Sequence, residues 1–183
     1  AELQAIRKDT DKALADVTKN YKEELHVDAL SKDLQAKIAK AFESLSKIQT
    51  IRSGVDSLAV AVGVPVGYYT NLNNDFIVSI EEMVKMSSNA EMNNLINAFV
   101  NFLSAKERSG IERAVLSSTF SQDTFAPGFY EKFIGLLNGQ EIFMNKFLFI
   151  APTELKSFYE ESMKSKDVAE VDRMRRIALD HPN

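Results

Sequence analysis

The residues of this chain best placed to do chemistry are cations set into otherwise apolar helical stripes. Arg52 stands where a leucine would fit the seven-residue series Ile38, Leu45, Arg52, Ala59, and Lys106 and Arg113 interrupt the series Met92, Phe99, Lys106, Arg113, Phe120. In a third stripe, Phe129, Phe133, Leu136, Gln140, Phe143, Phe147, the amide of Gln140 is carried to the apolar side. A buried charge persists only with a partner or a task, because removing it from water uncompensated is costly. No carboxylate occupies these same stripes, so if the faces meet, the converging donors form a site for an anion. Arginine suits a planar oxyanion, since its fork of N–H donors matches two oxygens at once. Apolar and aromatic walls, with Tyr68 among the orienting groups, would exclude water and strengthen such contacts.

Each of these residues also has a plainer reading. Asp56 lies four residues after Arg52 and could pair with it along one helix. Arg52, Lys106 and Arg113 could instead lay their stems on apolar surface and keep their heads in water. Gln140 fits a satisfied core amide. Arg108 projects away from the Met92 series and would pair with Glu112 on a solvated face, while Glu107 could orient the neighbouring cations.

Most other chemistries are excluded by composition. The 183 residues are 45% apolar and 26% charged, enough to bury a core and too apolar for a disordered chain. With 22 Lys and Arg against 26 Asp and Glu, the net charge is −4, so no nucleic-acid partner is expected. Cysteine is absent and the only histidines are His26 and His181, which removes thiolate metal sites, disulfides and histidine clusters. Phosphate-loop, dinucleotide, hydrolase-elbow and zincin motifs are all missing. The acidic pairs Glu81–Glu82 and Glu160–Glu161 are sequence neighbours, so they leave a helix in different directions. The expectation is therefore a non-enzymatic chain needing no metal and no cofactor. No run approaches the roughly 18 apolar residues of a membrane span, and the chain starts at Ala1, as expected for a soluble piece of a longer protein.

Helices must position these residues. Glycine and proline number only 7 and 4, and apolar residues recur at three-and-four spacing almost throughout. This predicts an all-α fold, an up-and-down bundle of long antiparallel helices of the four-helix-bundle type, with residues 1–183 as a single domain. A first helix is expected from Leu3 to Leu25, with a break at His26 to Asp28. A long second helix should run from near Leu30 past Val62, with a bend where Gly63, Pro65 and Gly67 cluster. Ser88, with Glu91 three residues on, predicts a capping box for a helix over Ala90 to Phe120. A loop over Ser121 to Gly128 should lead into a helix from Phe129 to Ile150, and Ala151–Pro152 should precede a last helix reaching Ala178.

The run Lys106-Glu107-Arg108-Ser109-Gly110-Ile111-Glu112-Arg113-Ala114 resembles the K-E-R-(A/S)-G-x-E-R-A signature of the nitrate- and nitrite-sensing NIT domain. Ile6-Arg7-Lys8-Asp9-Thr10-Asp11 is similar to the family's Q-R-x-x-T-D segment with Ile6 in place of the Gln, Arg52-Ser53-Gly54-Val55-Asp56 to its R-x-x-V-D, and Tyr68-Tyr69-Thr70-Asn71-Leu72-Asn73 to its Y-Y-T-x-L-N. Phe125-Ala126-Pro127-Gly128, Gln140, Phe158-Tyr159 and Met174-Arg175 follow the same order. The resemblance implies a helical module that binds nitrate or nitrite through arginines, Arg52, Arg108 and Arg113 being those that match family motifs. The family occurs in chemoreceptors, sensor kinases, cyclic-dinucleotide enzymes and an antiterminator, and its membrane-bound members hold it on the outer side between two spans. Family members carry an E-R-G-containing helix before the R-x-x-T-D segment, and this chain begins after the place where that helix would lie.

The expected function is thus an extracytoplasmic, periplasmic sensor of an inner-membrane receptor, such as a methyl-accepting chemotaxis protein. It would recognise a small anion, nitrate or nitrite, through Arg52, Lys106, Arg108, Arg113, Gln140 and Tyr68, and pass a helix shift to an output. A homodimer is expected, with the membrane reached only through spans outside this segment. The alternatives are a sensor of another small organic anion, or a non-catalytic dimerisation or protein-interaction module whose core cations are structural.

Overall fold

The computed structural model describes residues 2–23 and 26–182. Among them are eight α-helices: α1 (Glu2–Glu23), α2 (Lys32–Ser46), α3 (Ile48–Asp56), α4 (Gly63–Glu82), α5 (Ala90–Gln122), α6 (Phe129–Ile150), α7 (Thr153–Ser162) and α8 (Lys166–Asp180). Short 3-10 turns occupy Val27–Ala29 and Met83–Met86, and no strand occurs among the described residues. The all-α bundle predicted from periodicity is what the chain forms.

The helices run up and down, α2 and α3 following one another along the same course. Tyr21 stacks on Phe42, Asp11 meets Arg52 and Arg7 meets Asp56, so α1 lies antiparallel along α2 and α3 in one unbroken register. Leu45, Ile48 and Leu72 are buried where α2, α3 and α4 meet, with Leu14 of α1 closing that core. The 33-residue α5 spans roughly 50 Å at 1.5 Å per residue. It pairs along its length with α6, burying Ala98 against Phe147 at one end and Leu116 against Phe133 at the other. Ala178 brings α8 onto the second of these cores, and Tyr159 of α7 packs edge-on to Phe147.

Several helix boundaries differ from those predicted, each for a local reason. The expected long second helix is interrupted at Lys47, where the Ser46 hydroxyl donates to the Glu43 carbonyl at 2.7 Å and the Lys47 amide turns to the carbonyl of Ser44. It then ends at Asp56, because the Ser57 hydroxyl donates to the Ser53 carbonyl at 2.8 Å and Leu58 takes a left-handed φ of 53°. Pro65 sits in the first turn of α4, where its missing N–H has no helical partner to lose. The N-cap of α5 is Asn89, one residue beyond the expected Ser88, and its side chain accepts from the Met92 amide at 3.0 Å. The predicted last helix is split in two, with Ser165 capping α8 at the Val168 amide. Leu25, the expected end of the first helix, lies outside the described residues.

Ion pairs add to the apolar contact between α2 and α4. Asp75 and Glu82, two turns apart on α4, are both buried. Asp75 receives Lys40 at 2.7 Å and Ser44 at 2.9 Å, and Glu82 receives Lys37 and Lys85. Burial alone would raise the Asp75 pKa, but Lys40 and Ser44 outweigh it and hold the carboxyl below its ordinary value. The Glu82 carboxyl is also held low, chiefly by the Lys37 and Lys85 hydrogen bonds.

Carboxyls with depressed pKa values bind fewer protons folded than unfolded, so their stabilisation is complete above about pH 4.5 and lost as pH falls below that. The melting temperature is expected to drop between pH 5 and pH 3, and to drop less steeply in Asp75→Asn/Glu82→Gln. An identical pH slope in the variant would show that this pair does not set the acid limit.

Candidate anion-binding site

The inner face of α5 carries Ala98, Ala105, Glu112, Val115 and Thr119, all buried. The series Met92, Phe99, Lys106, Arg113, Phe120, predicted to face the core, is displaced from it by one residue and is exposed throughout. The reason is steric: where α5 and α6 approach closely, small alanines fit the contact, and the bulky residues beside them line its rim. Lys106 and Arg113 are rim residues as a consequence.

The inner face contains a charge that the stripe reading missed. Glu112 is only 3% exposed, and its carboxylate is enclosed by donors from two other helices. Arg175 of α8 grips it side-on, Nε donating to one oxygen at 2.6 Å and Nη2 to the other at 2.7 Å. Gln140 of α6 donates its amide to Glu112 at 2.7 Å, while its own oxygen accepts from Arg175 at 2.8 Å and from the Ser109 hydroxyl at 2.8 Å. Glu112 holds the Arg175 guanidinium above its ordinary pKa, outweighing the effect of burial. Gln140 is thus a satisfied amide within a polar knot that ties α5, α6 and α8 together.

Beside this knot lies a cleft of about 570 Å³ between α4, α5 and α8. Lys106, Arg113 and Arg175 line it with Asn73, Phe120 and Met174. Among the described residues neither Lys106 nor Arg113 has a carboxylate within ion-pair distance. The two nearby carboxylates are engaged elsewhere: Glu112 by Arg175, and Glu107 by the amide of Asn73 at 2.7 Å.

The remaining predicted residues sit apart from the cleft. Arg108 does not pair with Glu112; it crosses α6 with its guanidinium 4.1 Å from the centre of the Phe143 ring and donates to the Ser104 carbonyl at 2.9 Å. Gly139 makes the crossing possible, since a Cβ there would meet Arg108 Nε at 2.6 Å. Burial lowers the Arg108 pKa, with Glu107 opposing. Tyr68 packs in the α2–α4 core and donates to the Ser44 carbonyl at 2.9 Å. Arg52 is buried at the α1–α3 contact and bonds Asp11 at 2.5 Å, not the Asp56 on its own helix.

Arg175 is the cleft residue that stripe reasoning passed over. It stands four residues after Val171 and three before Ala178, a cation on an apolar stripe of the kind that singled out Arg52. Removing it leaves Glu112 buried and unpaired, a change that costs about 3 kcal/mol when one partner keeps some contact with water. Arg175→Ala is expected to lower the melting temperature by roughly 6–12 °C, and Glu112→Gln in the same chain to recover most of that. Losses that simply add would show that the two residues do not act as a pair.

No helix among the described residues is long and apolar enough to cross a membrane. Comparison with curated proteins and with solved structures gave no match. The model of the family described as nitrate and nitrite sensing, NIT, matches residues 1–183. A bundle whose signature helix lines a cleft with unpaired cations thus carries that family's pattern from end to end, and the chain belongs to the NIT family of nitrate- and nitrite-sensing domains.

Proposed function

We propose that this chain is the extracytoplasmic sensing module of a bacterial inner-membrane receptor of the chemotaxis type, working as a homodimer, and that it takes nitrate or nitrite in the cleft between α4, α5 and α8. The family assignment supports the sensing role and the class of ligand. One observation carries the location: Lys106 and Arg113 face the same cleft two turns apart without a carboxylate partner, while every nearby acid is occupied. Individual exposed ion pairs contribute under about 1 kcal/mol, so binding relies on several cations acting on one anion. Arg113 offers a planar fork and Lys106 a point charge, while Arg175, held by Glu112 and Asp172, forms the wall beside them. Gln140 acts one layer behind, fixing the Arg175 head. Arg52, Arg108 and Tyr68 hold helices in place and do not contact this ligand.

An anion drawn between α5 and α8 favours the packing in which those two helices are closest. Helix shifts of an ångström or two are the usual scale of such switches, and α8 is the last described helix and the natural output element. A protein-interaction role finds its support in another region, the apolar groove lined by Leu95, Phe99, Phe147 and Phe158, and it predicts indifference to anions.

Calorimetric titration with nitrate, nitrite and acetate, followed by melts, tests the proposal. Nitrate at a hundredfold excess over its Kd is expected to add about 2.7 kcal/mol, a rise of roughly 5–10 °C. Lys106→Ala/Arg113→Ala should abolish most of that rise while changing the ligand-free melt little, since both side chains are exposed. Absence of heat with every anion would refute the sensor reading, and full binding by the double variant would remove the cleft from it.

A further inference from the structure

The cleft contains an acid that ignores the cations beside it. On the surface of α5 the neighbours of Gly110 are Lys106 four residues before it, Glu107 three before and Arg113 three after. All four line the same cleft. A Cβ on Gly110 would meet no side chain within 4 Å beyond its sequence neighbours, so the three charged chains surround a bare turn with nothing to separate them. Glu107 nevertheless makes no ion pair among the described residues. It takes its hydrogen bond from a neutral donor on another helix, the Asn73 amide at 2.7 Å.

A carboxylate beside two unpaired cations gains more by turning to them, since an ion pair adds charge attraction to the hydrogen bond. Placement decides otherwise. Leu72 is buried in the core of α2, α3 and α4, and Asp75 is clasped by Lys40 and Ser44 of α2. Between these two anchors α4 carries the Asn73 side chain out to the cleft, within reach of Glu107.

We propose that Asn73 is a positioning residue of the anion cleft and Glu107 its built-in competitor. Held by Asn73, Glu107 leaves Lys106 and Arg113 to a ligand; released, it swings over Gly110 and neutralises them. This rests on the cleft reading given above and adds the regulation of that site. Ligand and the Asn73–Glu107 contact then favour each other, because both need Glu107 turned away, and such coupling is reciprocal. A shift of α4 against α5 that parts the two residues lowers anion affinity, and a bound anion holds α4 and α5 in register. Through Asn73 the cleft thus reaches α2 and α4 as well as α8.

The test compares Asn73→Ala, Glu107→Gln and the combined Asn73→Ala/Glu107→Gln in the full chain. Calorimetric titration with nitrate should give a Kd about threefold to fivefold weaker for Asn73→Ala, the worth of one exposed ion pair, and no weaker than the parent for Glu107→Gln. The combined variant should bind like Glu107→Gln, because without the carboxylate Asn73 has nothing to restrain. A second arm needs no ligand: in Asn73→Ala the Arg113 Nε–H and Lys106 Cε–H resonances should move as Glu107 is released, and return in the combined variant. An unchanged nitrate Kd in Asn73→Ala overturns the proposal. So does a loss that persists in the combined variant, which would make Asn73 a direct ligand or a purely structural group, and so do resonances that stay in place in ligand-free Asn73→Ala. A parent chain that binds no nitrate refutes the cleft reading, and the ligand-free arm then decides by itself whether Asn73 restrains Glu107.

Discussion

A carboxylate shut away from water fixes where three helices meet. Glu112 is buried, so groups of the protein must both pair with its carboxylate and satisfy its oxygens. Arg175 from α8 and Gln140 from α6 do so together, and Ser109 completes the amide. Apolar contact alone would let α8 slide along the groove between α5 and α6 at small cost, because that attraction has no direction. The two-point grip on Glu112 does have one, and it sets the height and rotation at which Ala178 enters the core.

The same knot decides which cations are left over. Arg175 and Gln140 hold Glu112, and Asn73 turns Glu107 aside, so neither of the two carboxylates that line the cleft reaches ion-pair distance of Lys106 or Arg113. Arg108 is withdrawn onto the Phe143 ring and Arg52 into the α1–α3 contact. Five cations that look alike in sequence therefore have three fates: gripping a buried acid, clasping two helices, or lining an open cleft. Only the last leaves charge available to a ligand, and two of the helices that line the cleft, α5 and α8, are coupled by the knot.

The helical class and most helix boundaries could be read from periodicity, because long amphipathic segments with few glycines and prolines admit little else. The break at Lys47 could not be, since it arises from a serine hydroxyl competing for a backbone carbonyl within a continuous apolar stripe. The facing of α5 was misread by one position because large apolar residues dominate a hydrophobic stripe, whereas close packing against α6 selects small ones such as Ala98 and Ala105. That one-residue phase exchanged the roles of Glu112 and Arg113, placing the cation inside and the acid outside. Partner choice was the least visible feature: Arg52 had an acid on its own helix, but the register of α1 offered Asp11 at shorter reach.

The most direct measurement follows the arginine side-chain Nε–H resonances during nitrate titration, with chloride at equal ionic strength as the reference. A saturable, nitrate-specific displacement of the Arg113 resonance is expected, with Arg175 responding in step and Arg108 unmoved on its aromatic ring. An Arg113 resonance that moves equally with chloride and nitrate, or not at all while nitrate binds elsewhere, would contradict the cleft as the place where this chain senses its anion.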